Sequence, residues 1–289
     1  MPPFRTLGRE YVLTLACQDG PGLVFEVAGF LLRFGANISS SRQLDDPTTG
    51  CFFMRVQFAF VGDVPPVDEL RSAFDGVARR NGMTFELVDT ATPTRTLILA
   101  SRLGHCLGDL LHRYRIGTLN IEVPVIVSNH PDHATLAASY GIEYRHLPVS
   151  PDTAAAAEEE LLGLVAAHDI DLVVLARYLR VLSAPTSRAL AGRAIGIHPF
   201  VPGVAGTRPY SLAHARGARL IGATAHYVND ELDAGPIIEQ DVARVDPDSA
   251  PDHLVAAGHE VEARVLARAV QWHTERRIVA TGGRTVVLR

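Results

Sequence analysis

His198 and Asp233 are the residues whose types and settings best suit chemistry. His198 closes the apolar run Ile195-Gly196-Ile197-His198, which reads as a central strand. The stiff segment Pro199-Phe200-Val201-Pro202-Gly203 follows and would fix the imidazole. In open α/β sheets, ligands bind beyond the carboxyl ends of the strands. Asp233 stands in the polar loop NDELDAG (229–235), between two strand-like segments, GATAHYV (222–228) and PIIEQDV (236–242). Ala234 and Gly235 permit a tight turn there. A His and an Asp meeting over a cleft suit proton transfer and oxyanion stabilisation. Either residue alone in a loop is more often structural.

The other reactive side chains read as packing or turns. Cys106 follows His105, and adjacent residues on a helix diverge in direction, so a buried thiol is the better reading. His130, Asp132 and His133 in NHPDH fit a turn better than a metal site. The 12 histidines and 3 cysteines form no HExxH or CxxC grouping, and no metal is expected. SRLGHCL (101–107) runs from a strand into a helix without GxGxxG or GxxxxGK[ST]. A helix N-terminus can hold an anion, but His105, Cys106 and Leu107 fill this one, which reads as a packed corner.

The elements that must position His198 and Asp233 fall into two parts. At 289 residues the chain suits one large or two smaller domains. Hydrophobic residues at 47% and charged residues at 20% support a true core. The formal net charge of −5 offers no basic footprint for nucleic acid. No apolar run is long enough for a membrane span, and the N-terminal stretch lacks a secretory apolar core, so a cytoplasmic protein is expected.

Residues 1–88 read as strand, helix, strand, strand, helix, strand. YVLTLAC (11–17) is a strand, DGPG (19–22) a turn with Pro21 placed to open a helix, and Leu23, Val27, Phe30, Leu31 and Phe34 recur at helical spacing. Phe52, Met54, Val56, Phe58 and Phe60 alternate with Arg55 and Gln57. Leu70, Phe74 and Val77 mark a second helix, and 83–88 a last strand. This is the split βαβ, ferredoxin-like order. Residues 89–96 read as a linker. Residues 97–289 alternate strands (97–100, 123–128, 172–176, 195–198) with helices, as a Rossmann-like, mostly parallel sheet requires. A long helix is expected over roughly 250–275, and RTVVLR is a candidate last strand.

These segments carry a resemblance. The first part resembles an ACT domain in DGPGLVFEVAGFLLRFGANI and DDPTTGCFFMRVQF. The second resembles the folate-dependent formyltransferase fold in SRLGHCLGDLLHR, VSNHPD, YGIEYRHLPV, DLVVLARYLRVLS and RPYSLAHARGARLIGATAHYVNDELDAGPIIEQDVARVD. Together they identify the chain as a member of the formyltetrahydrofolate deformylase family. The resemblance implies hydrolysis of 10-formyltetrahydrofolate to formate and tetrahydrofolate, with no cofactor beyond the folate substrate. It implies an Asn and a His that polarise the formyl oxygen, and an Asp that positions or activates water. His198 matches the His and Asp233 the Asp.

Gly196 stands where that pattern has Asn, and the loop between His198 and Pro202 is shorter by about one residue. Losing one oxyanion donor costs roughly 2.7–4 kcal/mol. Arg208 is one candidate source of replacement charge. Two other readings follow from Gly196: a folate enzyme acting on a different one-carbon folate or acceptor, and a non-catalytic folate or amino-acid sensor. The resemblance places the pterin against Arg180, Val181 and Leu182 and against Asn229, Asp230 and Glu231. It makes Asp19, Gly22 and Asn37 candidates for an amino-acid effector at the ACT-like edge, with a ligand-free dimerisation module as the alternative. A half-exposed four-stranded sheet needs a cover, so a homo-oligomer, dimer or tetramer, is expected.

Overall fold

The computed structural model describes residues 9–60, 64–201, 209–246, 248, 250–281 and 283–289. The chain divides into two compact units, residues 1–93 with 275–289, and residues 94–274.

The first unit opens with β1 (Glu10–Gln18), α1 (Leu23–Arg33), β2 (Ala36–Asp46), β3 (Cys51–Phe60), α2 (Val67–Arg80) and β4 (Thr84–Asp89). The strands form one antiparallel sheet in the order β2-β3-β1-β4, the ferredoxin-like arrangement that the pattern predicts. The alternating Phe52, Met54, Val56, Phe58 and Phe60 meet the two helices in one core. There Phe30 and Phe74 cross edge to face at 5.0 Å. Pro21 does not open α1; it lies in the turn ahead of Gly22, the N-cap, whose φ of 91° needs a residue without a Cβ. The expected linker of 89–96 shrinks to 90–93. Hydrogen bonds tie that turn down, from Thr90 Oγ1 to Glu10 O (2.9 Å) and from Ala91 N to Asp89 Oδ1 (2.9 Å).

The second unit holds β5 (Thr94–Ala100), α3 (His105–Arg115), β6 (Ile121–Glu122), β7 (Val125–Ser128), α4 (Ala134–Ser139), β8 (Glu143–His146), α5 (Ala154–Ala167), β9 (Leu172–Ala176), α6 (Ala184–Ala189), β10 (Ala194–Phe200), α7 (Pro209–Ala215), β11 (Leu220–Tyr227), β12 (Ile237–Arg244) and α8 (Pro251–Thr274). The main sheet runs β12-β11-β10-β9-β5-β7-β8. From β8 to β10 all neighbours are parallel; β11 and β12 add an antiparallel edge. Every residue of β5 from Thr96 onward and all of β9 are buried, as strands covered on both faces must be. The short polar strand β8 was not predicted, because Glu143-Tyr144-Arg145-His146 shows no apolar signal.

The last elements are β13 (Ile278–Thr281) and β14 (Arg284–Val287), a hairpin that belongs to the first unit. The expected second domain of 97–289 therefore ends near 274. The reason is visible in the contacts. Arg55, buried on the sheet face away from the helices, donates from Nε to Glu275 O at 2.9 Å. Asp46 accepts from Thr281 Oγ1 at 2.8 Å and from Arg284 Nη2 at 3.1 Å. Part of the sheet face expected to need a partner copy is covered by the chain's own C-terminus.

Candidate active site

β10 lies inside the sheet, parallel to β9 and antiparallel to β11, and delivers His198 near its carboxyl end. The loop after β9 begins with Arg177 at φ 61°, and the β11–β12 loop carries Asp233 at φ 56°. Left-handed backbone is uncommon outside glycine and clusters where sites hold strain. Between these segments lies a cleft of about 630 Å³, lined among others by Arg177, Gly196, His198, His226 and Asp233.

His198 and Asp233, paired on sequence alone, do meet: His198 Nδ1 stands 3.5 Å from Asp233 Oδ1. A third group joins them. His226 Nε2 lies 3.7 Å from the same oxygen, and the two imidazole rings are 5.1 Å apart. Asp233 is about half exposed, at 49%, whereas His226 is buried. Burial holds the His198 imidazole below its ordinary pKa; the Asp233 carboxylate opposes this, and His226 and Arg177 reinforce it.

His226 is held by its strand. A register shift at Ala225/His226 marks an irregularity in the β11–β12 pairing, the kind of feature that re-aims a side chain beside a site. His226 Nδ1 donates to Tyr227 O at 3.0 Å, which leaves Nε2 as the lone-pair nitrogen. Gly235 packs on that same carbonyl: a Cβ there would lie 1.6 Å from Tyr227 O and 3.1 Å from His226 Nδ1. A Cβ on Gly196 would lie 3.3 Å from His226 Nε2, tighter than ordinary contact, and both residues line the cleft.

Behind the cleft, four elements converge on one carboxylate. Glu262 of α8, fully buried, takes Arg177 Nε at 3.0 Å, His105 Nε2 at 2.8 Å and the Tyr210 hydroxyl. Burial works to raise the Glu262 pKa, but these three partners outweigh it and hold the carboxyl below its ordinary value. His259 stacks on His105 at 3.9 Å. Cys106 is buried in α3 and its thiol is pushed up by burial, chiefly, and by Glu262. Among the described residues, two groups have donor atoms close enough to share a cation, His198/His226/Asp233 and His105/Cys106/Glu262. In the second, Glu262 already has three partners.

Of the six residues expected against the pterin, Arg180, Val181, Leu182, Asn229 and Glu231 line the cleft. Asp230 is not among its lining residues, and its carboxylate stands 3.8 Å from Arg188. A second cavity, about 240 Å³, continues behind Tyr178–Leu182 toward Leu99 and Val127. Arg208 lies outside the described residues. NHPDH is a turn: His130 N donates to Ser128 Oγ at 3.2 Å, and His133 is the N-cap of α4. In the first unit, Asp19 follows β1 and donates from N to Gly50 O at 2.9 Å, Gly22 caps α1, and Asn37 lies in β2. Sequence reasoning missed His226, Arg177 and Glu262. The available signal for His226 is a lone imidazole in an uncharged run of small residues, Gly222-Ala223-Thr224-Ala225-His226.

Comparison with known proteins agrees with this architecture. The formyl transferase family matches residues 94–270, which assigns the second unit to that class. The chain is 48% identical over 283 residues to the formyltetrahydrofolate deformylase of Corynebacterium sp. (strain P-1), covering 97% of this chain and 98% of that one. It is 39% identical over 277 residues to the deformylase of Bacillus subtilis (strain 168), covering 95% and 92%. The crystal structure of the Burkholderia mallei deformylase superimposes with a TM-score of 0.93 at 45% identity, over 97% of this chain and 100% of that one. The chain belongs to the formyltetrahydrofolate deformylase family.

Proposed function

We propose that this protein hydrolyses 10-formyltetrahydrofolate to formate and tetrahydrofolate. The observation that carries the reading is the His198–Asp233 pair, 3.5 Å apart at the wall of a cleft large enough for a folate ring system. His198 faces the formyl oxygen and polarises it, and Asp233 stabilises positive charge on the ring and helps to position water. The chemistry draws on side chains and water, with no cofactor beyond the folate. The pterin sits against Arg180, Val181 and Leu182 and against the Asn229–Glu231 loop. Asp230 acts there by way of backbone, since its side chain is turned to Arg188. The full-length deformylase relatives give no support to a different acceptor or to a non-catalytic sensor.

The βαββαβ order supports reading the first unit as an ACT-like module, with Asp19, Gly22 and Asn37 as the candidate amino-acid edge. The protein acts in the cytoplasm as a homo-oligomer paired through that module. Among the described residues no helix is long and apolar enough to cross a membrane. The test of the main reading is direct. Purified protein is mixed with 10-formyltetrahydrofolate, and formate and tetrahydrofolate are quantified. Equal amounts of both, formed at about 1–10³ per second, are expected; release of neither overturns it.

A further inference from the structure

Gly196 stands where the family pattern has Asn, so the formyl oxygen has one donor fewer, yet the residue that Gly196 uncovers is itself reactive. The Cβ that glycine lacks would lie 3.3 Å from His226 Nε2, 3.5 Å from its Cε1 and 3.5 Å from Val228 Cγ2. A side chain there would crowd that nitrogen from its first atom. His226 Nδ1 is engaged with Tyr227 O at 3.0 Å, so Nε2 carries the lone pair and can only accept while the ring is neutral. It opens on the cleft 3.7 Å from Asp233 Oδ1. That carboxylate is too far for a direct hydrogen bond but close enough to stabilise a proton on the ring.

We infer that His226 is a second catalytic histidine, the base that takes the proton of the attacking water, and that Gly196 provides the space in which this water sits. The inference rests on the hydrolase reading of the same cleft. The water O–H bond breaks, its proton passing to His226 Nε2, as the oxygen bonds to the formyl carbon beside His198. When the carbon–N10 bond breaks, the imidazolium returns the proton to N10. Tetrahydrofolate leaves, and the formic acid loses its own proton to solvent. The fixed Nδ1–H···O=C bond orients the ring, as the third member of a triad orients its histidine. On this view the glycine exchanges an oxyanion donor for a water site, a trade that suits a reaction whose acceptor is water.

The experiment compares wild type, His226→Asn, Gly196→Ala and the double variant. Formate release gives kcat, and titration with tetrahydrofolate gives binding and shows that each variant is folded. His226→Asn should lose at least about a hundredfold in kcat with binding unchanged, the lower end expected for a general base. Gly196→Ala is slightly tight, its Cβ 3.3 Å from His226 Nε2, and places a methyl in the water's space; it should lose about tenfold or more in kcat, again with binding unchanged. The double variant should be no slower than His226→Asn, because both changes act on one water. Should His226→Asn bind no tetrahydrofolate, the Gly196→Ala arm decides alone. His226→Asn turning over within about threefold of wild type overturns the inference, as does a Gly196→Ala loss confined to KM, or additive losses. Absence of turnover in the wild type would instead remove the hydrolase reading itself.

Discussion

Asp233→Asn tests the electrostatics of the site most directly. Asn tolerates left-handed backbone as well as Asp does, so the φ of 56° is no obstacle to folding. The substitution removes one negative charge 3.5 Å from His198 Nδ1 and 3.7 Å from His226 Nε2. At about 4 Å, a charge pair interacts by roughly 1 kcal/mol in bulk water and roughly 4 kcal/mol at an effective dielectric of 20. Asp233 is half exposed, so screening puts the value between these limits, at about 2–3 kcal/mol. Carried into the transition state, that is a factor of about 30–150 in rate, and the loss of a water-positioning oxygen adds to it. A drop of at least about a hundredfold in formate release is expected, with tetrahydrofolate binding retained. The His198 titration supplies a second readout. Burial lowers its pKa and Asp233 opposes that, so removing the carboxylate must move it lower still in an NMR titration. A variant within threefold of wild type, or a His198 pKa that rises, would refute the assignment.

Three further outcomes follow from packing and charge. A Cβ on Gly258 would lie 2.2 Å from Tyr210 Cζ, so Gly258→Ala should destabilise the protein by about 1–3 kcal/mol in urea unfolding, with m unchanged. Asp46 is held at about 2, first by the Thr281 hydroxyl and then by the Thr48 amide. Its depressed pKa gives stability that is present above the unfolded value, about 3.9, and is lost as pH falls toward about 2. Asp46→Asn should therefore unfold earlier than wild type at neutral pH, and the gap should close in acid. Cys106 is buried with its thiol pushed up, whereas Cys51 is partly exposed. A thiol reagent added to native protein should modify Cys51 and spare Cys106 until denaturant is added.

What was legible in the sequence was what repeats locally. The Phe52-to-Phe60 alternation and the Leu70, Phe74, Val77 spacing each report a face against a core, and both faces are where the pattern puts them. His198 and Asp233 were legible because a strand end and a polar loop between strands are places where an α/β sheet brings ligands. Arg55 was not legible as a buried residue, because its cover arrives from Glu275, 220 residues later. No periodicity can announce a contact of that separation. Glu262 was hidden for a similar reason. It lies on a helix whose other charged residues are exposed or partly exposed, and only the fold brings Arg177, His105 and Tyr210 to it.

The same contacts explain how a site with strained backbone stays in place. Arg177 and Asp233 both adopt positive φ at the cleft, a conformation that costs of order 1–3 kcal/mol for a non-glycine residue. Each is fixed by something the sequence supplies elsewhere. Arg177 is fixed by the buried carboxylate of Glu262. The Asp233 loop is fixed by Gly235, whose backbone presses on Tyr227 O while Tyr227 N bonds to Pro236 O at 3.0 Å. Because Tyr227 O also holds His226 Nδ1, one peptide sets the Asp233 loop and the second imidazole together. Gly235→Ala would place its Cβ inside van der Waals contact with that carbonyl. It should therefore disturb both at once, with loss of formate release and of soluble protein, whereas Gly196→Ala, on β10 in the cleft wall, should cost turnover alone.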